Sequence, residues 1–121
     1  MLQNSFYHIT TIQKEPLLIT AEIEINATHK IFEGHFNNQP IVPGVCMIQI
    51  IKEILEKVTG KKITLQQSGD IKFLAMINPK ENNIIQVEIK YTFEENEIRV
   101  VASLLKANII YFKFKGMFVC Q

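Results

Sequence analysis

The sequence predicts an α+β fold in which an antiparallel sheet wraps one long central helix. Three observations lead there. Residues 85–93 alternate apolar and polar with period two, the stretch between Pro43 and Gly60 has a helical period instead, and short polar breaks separate the later strands.

Taken in chain order, Leu17 to Asn26 alternates through Ile23 and Ile25 and reads as a strand. Pro43 suits a first helical position, where its missing N–H costs nothing, and Gly60 suits the place just past a helix end. At about 100° per residue, Met47, Ile48, Ile50, Ile51, Ile54, Leu55 and Val58 form a broad apolar arc. Gln49, Lys52, Glu53, Glu56 and Lys57 fill the opposite side. Val45 and Cys46 intrude on that side within the first turn, which predicts a helix start buried all round.

Beyond the helix, Ile63 to Met76 is a longer and less regular strand candidate. Ile85, Val87, Ile89, Tyr91 and Phe93 then point one way while Gln86, Glu88, Lys90 and Thr92 point the other. Glu94 to Glu97 breaks the pattern before a second β-rich run, Ile98 to Leu105. Ala107–Asn108 supplies a tight turn into Ile109 to Val119, where Phe112 and Phe114 interleave with Lys113 and Lys115. These Phe-rich final strands are expected to leave an edge exposed, open to edge or face pairing between subunits.

A length of 121 residues predicts one domain, 1–121, and 47% hydrophobic with 21% charged residues is ordinary for a soluble protein. The net charge of +1 offers no general field for nucleic acid or an anionic membrane. Lys61–Lys62 and Lys113–Lys115 read as solvated surface, with a local contact to an acidic partner as the alternative. Cys46 and Cys120 make no disulfide framework, and no metal-ligand spacing joins them to His8, His29 or His35. Cys46 sits in an apolar run and reads as core. The first residues lack the pattern of a signal peptide, and no stretch approaches the roughly 20 apolar residues of a membrane span, so the expected location is the cytoplasm.

The segment from His29 to Gln49 differs from everything around it. Gly34, Pro40, Pro43 and Gly44 break both periodicities, giving a shaped loop that runs into the helix. His35 follows Gly34 in that loop. The helix start offers unpaired N–H groups and the positive end of a dipole, so the Gly44 N–H is placed to hold a carbonyl oxygen that gains negative charge. With an unperturbed pKa of roughly 6.5, His35 suits removal of a proton next to a thioester carbonyl. On spacing alone, the alternative is a histidine that hydrogen-bonds in a turn before an ordinary helix.

Gly34-His35-Phe36, then Pro40, then Pro43-Gly44-Val45 resembles the signature of the β-hydroxyacyl-acyl-carrier-protein dehydratases, with the spacing kept and no gaps. Strong identity covers about Phe32 to Val45, and the rest of the chain fits loosely. The resemblance implies a hotdog fold that dehydrates a β-hydroxyacyl thioester to the trans-2-enoyl form in fatty acid or related lipid and polyene biosynthesis. It implies His35 as the base and the Gly44 N–H as the carbonyl polariser. It further implies an acyl tunnel at a dimer interface, for which Phe36, Val42, Pro43, Met47, Ile48 and Phe73 are candidate lining. Plain core packing is the alternative for each of these. The implied partners are acyl carrier protein or a coenzyme A thioester, and a homodimer, higher oligomer or heterodimer with a paralogue. No metal or organic cofactor is implied beyond the phosphopantetheine that carries the substrate.

The chain departs from that family where an acid from the second subunit handles the β-hydroxyl: the matching residue is Gln49. An amide hydrogen-bonds a hydroxyl but donates no titrating proton. Glu53 lies one turn along, where the family commonly has glutamine, so the pair is exchanged. Either Glu53 acts on the hydroxyl with Gln49 positioning it, or Glu53 is an exposed residue near Lys57. A hotdog thioesterase with Glu53 activating water, and a non-catalytic carrier-binding or partner subunit, are the other readings. Asn37 and Asn38 replace a Pro-Gly of the loop and tolerate the left-handed turn it needs.

Overall fold

The computed structural model describes residues 2–33 and 41–121. Its elements are β1 (Tyr7–Glu15), β2 (Leu18–Ile25), a short 3-10 turn (Lys30–Phe32), α1 (Gly44–Thr59), β3 (Ile63–Phe73), β4 (Ile84–Glu94), β5 (Glu97–Lys106) and β6 (Ile109–Cys120). The strands make a six-stranded sheet in the order β1-β2-β4-β5-β6-β3, antiparallel at every junction. The chain leaves β2 near one edge, passes through α1, and re-enters as β3 at the other edge.

The alternation seen in the sequence becomes the core face. Ile19, Ile89, Ala102 and Phe114 lie in one row across β2, β4, β5 and β6, and Ala21, Val87, Leu104 and Phe112 lie in the next. All eight are buried, and the row that carries the small Ala102 also carries the large Phe114. Onto this face α1 turns Ile50, Ile51, Ile54 and Leu55, each with no exposed surface. Burying a side chain of that size contributes roughly 1.5–3 kcal/mol, so this contact dominates the fold.

Three expectations need correction, and one strand went unread. β1 escaped the sequence reading because, after Tyr7, none of its residues is fully buried and the alternation fades. β6 is not an edge: it sits between β5 and β3, and the edges are β1 and β3. Phe93 ends β4 beyond the reach of the helix and is 43% exposed. The start of α1 is not buried all round: Val45 is 76% exposed, although Cys46 is core as expected. The irregularity of β3 is real, with register shifts between Leu65 and Gln67 and between Ser68 and Ile71.

Pro43 caps the helix from just outside it, one position earlier than its expected role as first helical residue. Gly60 closes it at φ 70° with its N–H donated to Glu56 O. Nothing lies within 4 Å of a Cβ added at Gly60, so Gly60→Ala meets only backbone strain. Urea unfolding should show a loss of about 1 kcal/mol for that variant, with an unchanged slope.

Candidate functional site

His35 and Phe36, with Gly34, Asn37, Asn38 and Pro40, lie outside the described residues. The residues on either side of that segment have clear partners. On the upstream side His29 has a local role: its Nδ1 accepts the Ile31 N–H at 3.0 Å and its ring stands edge-on to Phe6, 5.3 Å between centroids. Downstream, the Val42 N–H donates to Ile77 O at 3.0 Å, which ties the approach to α1 to the segment after β3. The Leu74 and Ala75 N–H groups both donate to Tyr111 O, so that segment is itself fixed against β6.

These tethers create an apolar groove of about 290 Å³ at the start of α1, lined by Ile41, Val42, Gly44, Met47 and Phe73–Met76. Of the candidate lining residues, Val42, Met47 and Phe73 border this groove, beside Gly44, the candidate carbonyl polariser; Pro43 and Ile48, both half-buried, do not line it. Ile41, Leu74, Ala75 and Met76 line it without having been singled out. Leu74 and Met76 carried a signal, since they extend an apolar run past the end of the strand. The Phe73 ring lies over Gly44: a Cβ there would stand 2.6 Å from Cε1 and Cζ, so only glycine lets the ring approach the helix start. Pro43 supplies no side-chain cap, which leaves first-turn amides to other acceptors. Val45, Phe73, Leu74 and Met76 are 53–76% exposed, a concentration of large apolar side chains around the groove.

Glu53 is the principal surprise of the helix. It is only 2% exposed, not a member of the solvated face, because it reaches under the N-terminal segment. Its Oε2 accepts the Leu2 N–H at 2.8 Å and the Gln49 Nε2–H at 2.8 Å. Its Oε1 accepts the Gln3 N–H at 2.8 Å and the Tyr7 hydroxyl at 3.0 Å. A carboxylate has about four acceptor positions, so this chain alone fills them. Burial pushes the Glu53 carboxyl upward, but the bonds from Leu2, Gln49, Gln3 and Tyr7 outweigh it and hold the group below the ordinary carboxylate range. The Tyr7 hydroxyl is driven well above its usual value by burial, then by the charge and hydrogen bond of Glu53. The group is built as a buried anion. Gln49 was placed beside it by helical spacing, but Tyr7 and the first residues had no signal in the sequence.

Among the described residues no cluster of three His, Cys, Asp or Glu side chains is placed to hold a metal ion. Among them, too, no helix is long and apolar enough to cross a membrane.

An antiparallel sheet folded around one long helix, with a loop feeding the helix start, is the hotdog fold. The solved structure of the dehydratase heterocomplex ApeI:P from Xenorhabdus doucetiae shares it, with a TM-score of 0.74 at 16% identity over 92% of this chain and 96% of that one. Residues 11–113 match the family model of the ApeI-like dehydratases, described as ApeI dehydratase, and the chain belongs to that family. Among curated relatives, the 3-hydroxyacyl-[acyl-carrier-protein] dehydratase FabZ of Clostridium acetobutylicum is 32% identical over 72 residues, 54% of this chain and 51% of its own. The FabZ of Rickettsia typhi is 23% identical over 103 residues, 85% of this chain and 68% of its own. The chain therefore spans about half the length of the Clostridium relative it matches.

The buried carboxylate makes stability depend on pH. With its folded-state pKa held low, the unfolded state takes up the proton first as pH falls. The contribution of Glu53 is whole above the ordinary carboxyl value of about 4.3 and is lost as pH falls from there through the folded-state value. Urea midpoints measured from pH 7 to pH 3 should fall in wild type, and Glu53→Gln should be less stable at pH 7 with a visibly flatter acid limb.

Proposed function

We propose that this protein dehydrates a β-hydroxyacyl thioester, carried on the phosphopantetheine of acyl carrier protein or coenzyme A, to the trans-2-enoyl thioester. The observation that carries the reading is the glycine-floored apolar groove at the start of α1, directly downstream of the loop that holds His35. The family and the FabZ relatives support it.

In this reading the acyl chain lies along Val42, Met47 and Phe73, and the thioester carbonyl faces the Gly44 N–H. Developing negative charge on that oxygen meets the N–H and the helix dipole. His35 removes the α-proton, the Cα–H electron pair forms the Cα=Cβ bond, and the Cβ–O bond breaks. The leaving hydroxyl must gain a proton to depart as water. Glu53 is held as an anion and has none to give, and Gln49 does not titrate, so the proton that His35 has just taken is the one delivered. Every atom is then accounted for without a metal or an organic cofactor. The apolar surface around Val45, Phe73, Leu74 and Met76 supports assembly with a second subunit, the same chain or a paralogue. The cytoplasm is the matching location.

The thioesterase reading requires Glu53 to activate water, and its carboxylate is occupied by four donors. Incubating the protein with a β-hydroxyacyl thioester should generate the ultraviolet absorbance of a conjugated enoyl thioester and release no free thiol. His35→Ala should lower that rate by about 10²–10⁴-fold. A rate unaffected by His35→Ala, or thiol release in place of enoyl absorbance, refutes the assignment.

A further inference from the structure

Glu53 does more than fill a buried position, because its only possible role toward Gln49 is to accept. An ionised carboxylate has no hydrogen to offer, so the amide beside it must turn its NH₂ inward, as the 2.8 Å bond from Nε2 to Oε2 shows. The amide oxygen sits on the other corner of the same plane and is directed away from Glu53. Which end of Gln49 faces outward is thus dictated by chemistry. The carboxylate in turn cannot swing to follow the amide. Two backbone amides, Leu2 and Gln3, and the Tyr7 hydroxyl hold it from the far side. The N-terminal segment, Glu53 and Gln49 form one chain of donors and acceptors that ends in a fixed carbonyl oxygen.

We propose that Glu53 is a positioning residue that locks Gln49 with its amide oxygen as the acceptor for the β-hydroxyl hydrogen of the substrate. This rests on the dehydratase reading, in which residue 49, contributed by the second subunit, occupies the place that meets the hydroxyl. A hydroxyl has one hydrogen and two lone pairs. When its hydrogen is given to Gln49, its lone pairs stay open for the incoming proton that makes it a leaving water. An amide turned the other way would place N–H groups on those lone pairs and compete with that proton. The exchange of glutamine and glutamate along the helix therefore leaves a working hydroxyl site, with the charge moved one turn back and the neutral acceptor in front.

The test combines binding, turnover and nuclear magnetic resonance on the full chain. In wild type the Gln49 side-chain NH₂, assigned by its loss in Gln49→Met, should be shifted and protected from exchange, and Glu53→Gln should abolish both properties. Wild type should bind a β-hydroxyacyl pantetheine roughly tenfold more tightly than the analogue lacking the hydroxyl, the scale of one hydrogen bond. Glu53→Gln and Gln49→Met should each bring that ratio to about one, and the double variant should do no more. In turnover, kcat should fall about tenfold or more with KM for the acyl chain little changed. A merely structural role would lower the folded fraction but keep the ratio. If Glu53→Gln does not fold, the wild-type resonance and Gln49→Met decide the matter. An exchangeable, unshifted Gln49 NH₂, or a ratio that survives Gln49→Met, overturns the proposal. Absence of any enoyl product from wild type would instead remove the dehydratase reading, and the resonance and the binding ratio would still decide the role of Glu53.

Discussion

The fold depends on one burial: the apolar side of a sixteen-residue helix lying against the concave face of the sheet. Ile50, Ile51, Ile54 and Leu55 have no exposure, and they meet rows drawn from β2, β4, β5 and β6. Because the sheet closes on this one element, the position of the helix start is set by packing many residues away from it. A groove built at that start inherits the rigidity of the core. Gly44 and Val42 are held in place by Ile50 and its neighbours as much as by their own contacts.

Within that apolar contact sits a charge. Removing an ion from water costs several kcal/mol unless partners replace the lost hydration, and Glu53 has a full set. The same bonds that offset desolvation tie the N-terminal segment across the helix. A charge in this place selects one arrangement of residues 2–7, since any other would leave acceptors empty in the interior.

The sequence was most informative where a single face is buried. β4 could be read residue by residue because one side meets the helix and the other meets water, and the helix limits at Pro43 and Gly60 were marked by residues with few other uses. β1 could not be read, since none of its residues after Tyr7 is fully buried. The role of Glu53 was invisible for a related reason. Helical spacing assigns it to the polar side, and only the arrival of Leu2, Gln3 and Tyr7 from about fifty positions away turns that side inward. Val45 failed in the opposite sense: an apolar residue expected to be buried is exposed. The groove was legible in part through the resemblance at Pro43–Gly44, but Leu74, Ala75 and Met76 join it through backbone bonds to Tyr111 that no local pattern announces.

The bonds from Leu2, Gln3 and Tyr7 to Glu53 also bear on the order of folding. They close loops spanning 46–51 residues, against the immediate hairpins that join β4 to β5 and β5 to β6. Closing such loops costs more chain entropy and brings no reward until the helix is seated, so these contacts belong to the last stage of assembly. The segment from Leu2 to Tyr7 is thus among the last parts of the domain to lock. Until that segment locks, the helix carries toward its own core a carboxylate that lacks three of its four donors, which makes completion of the strap from Leu2 to Tyr7 the step that commits the domain to its native arrangement.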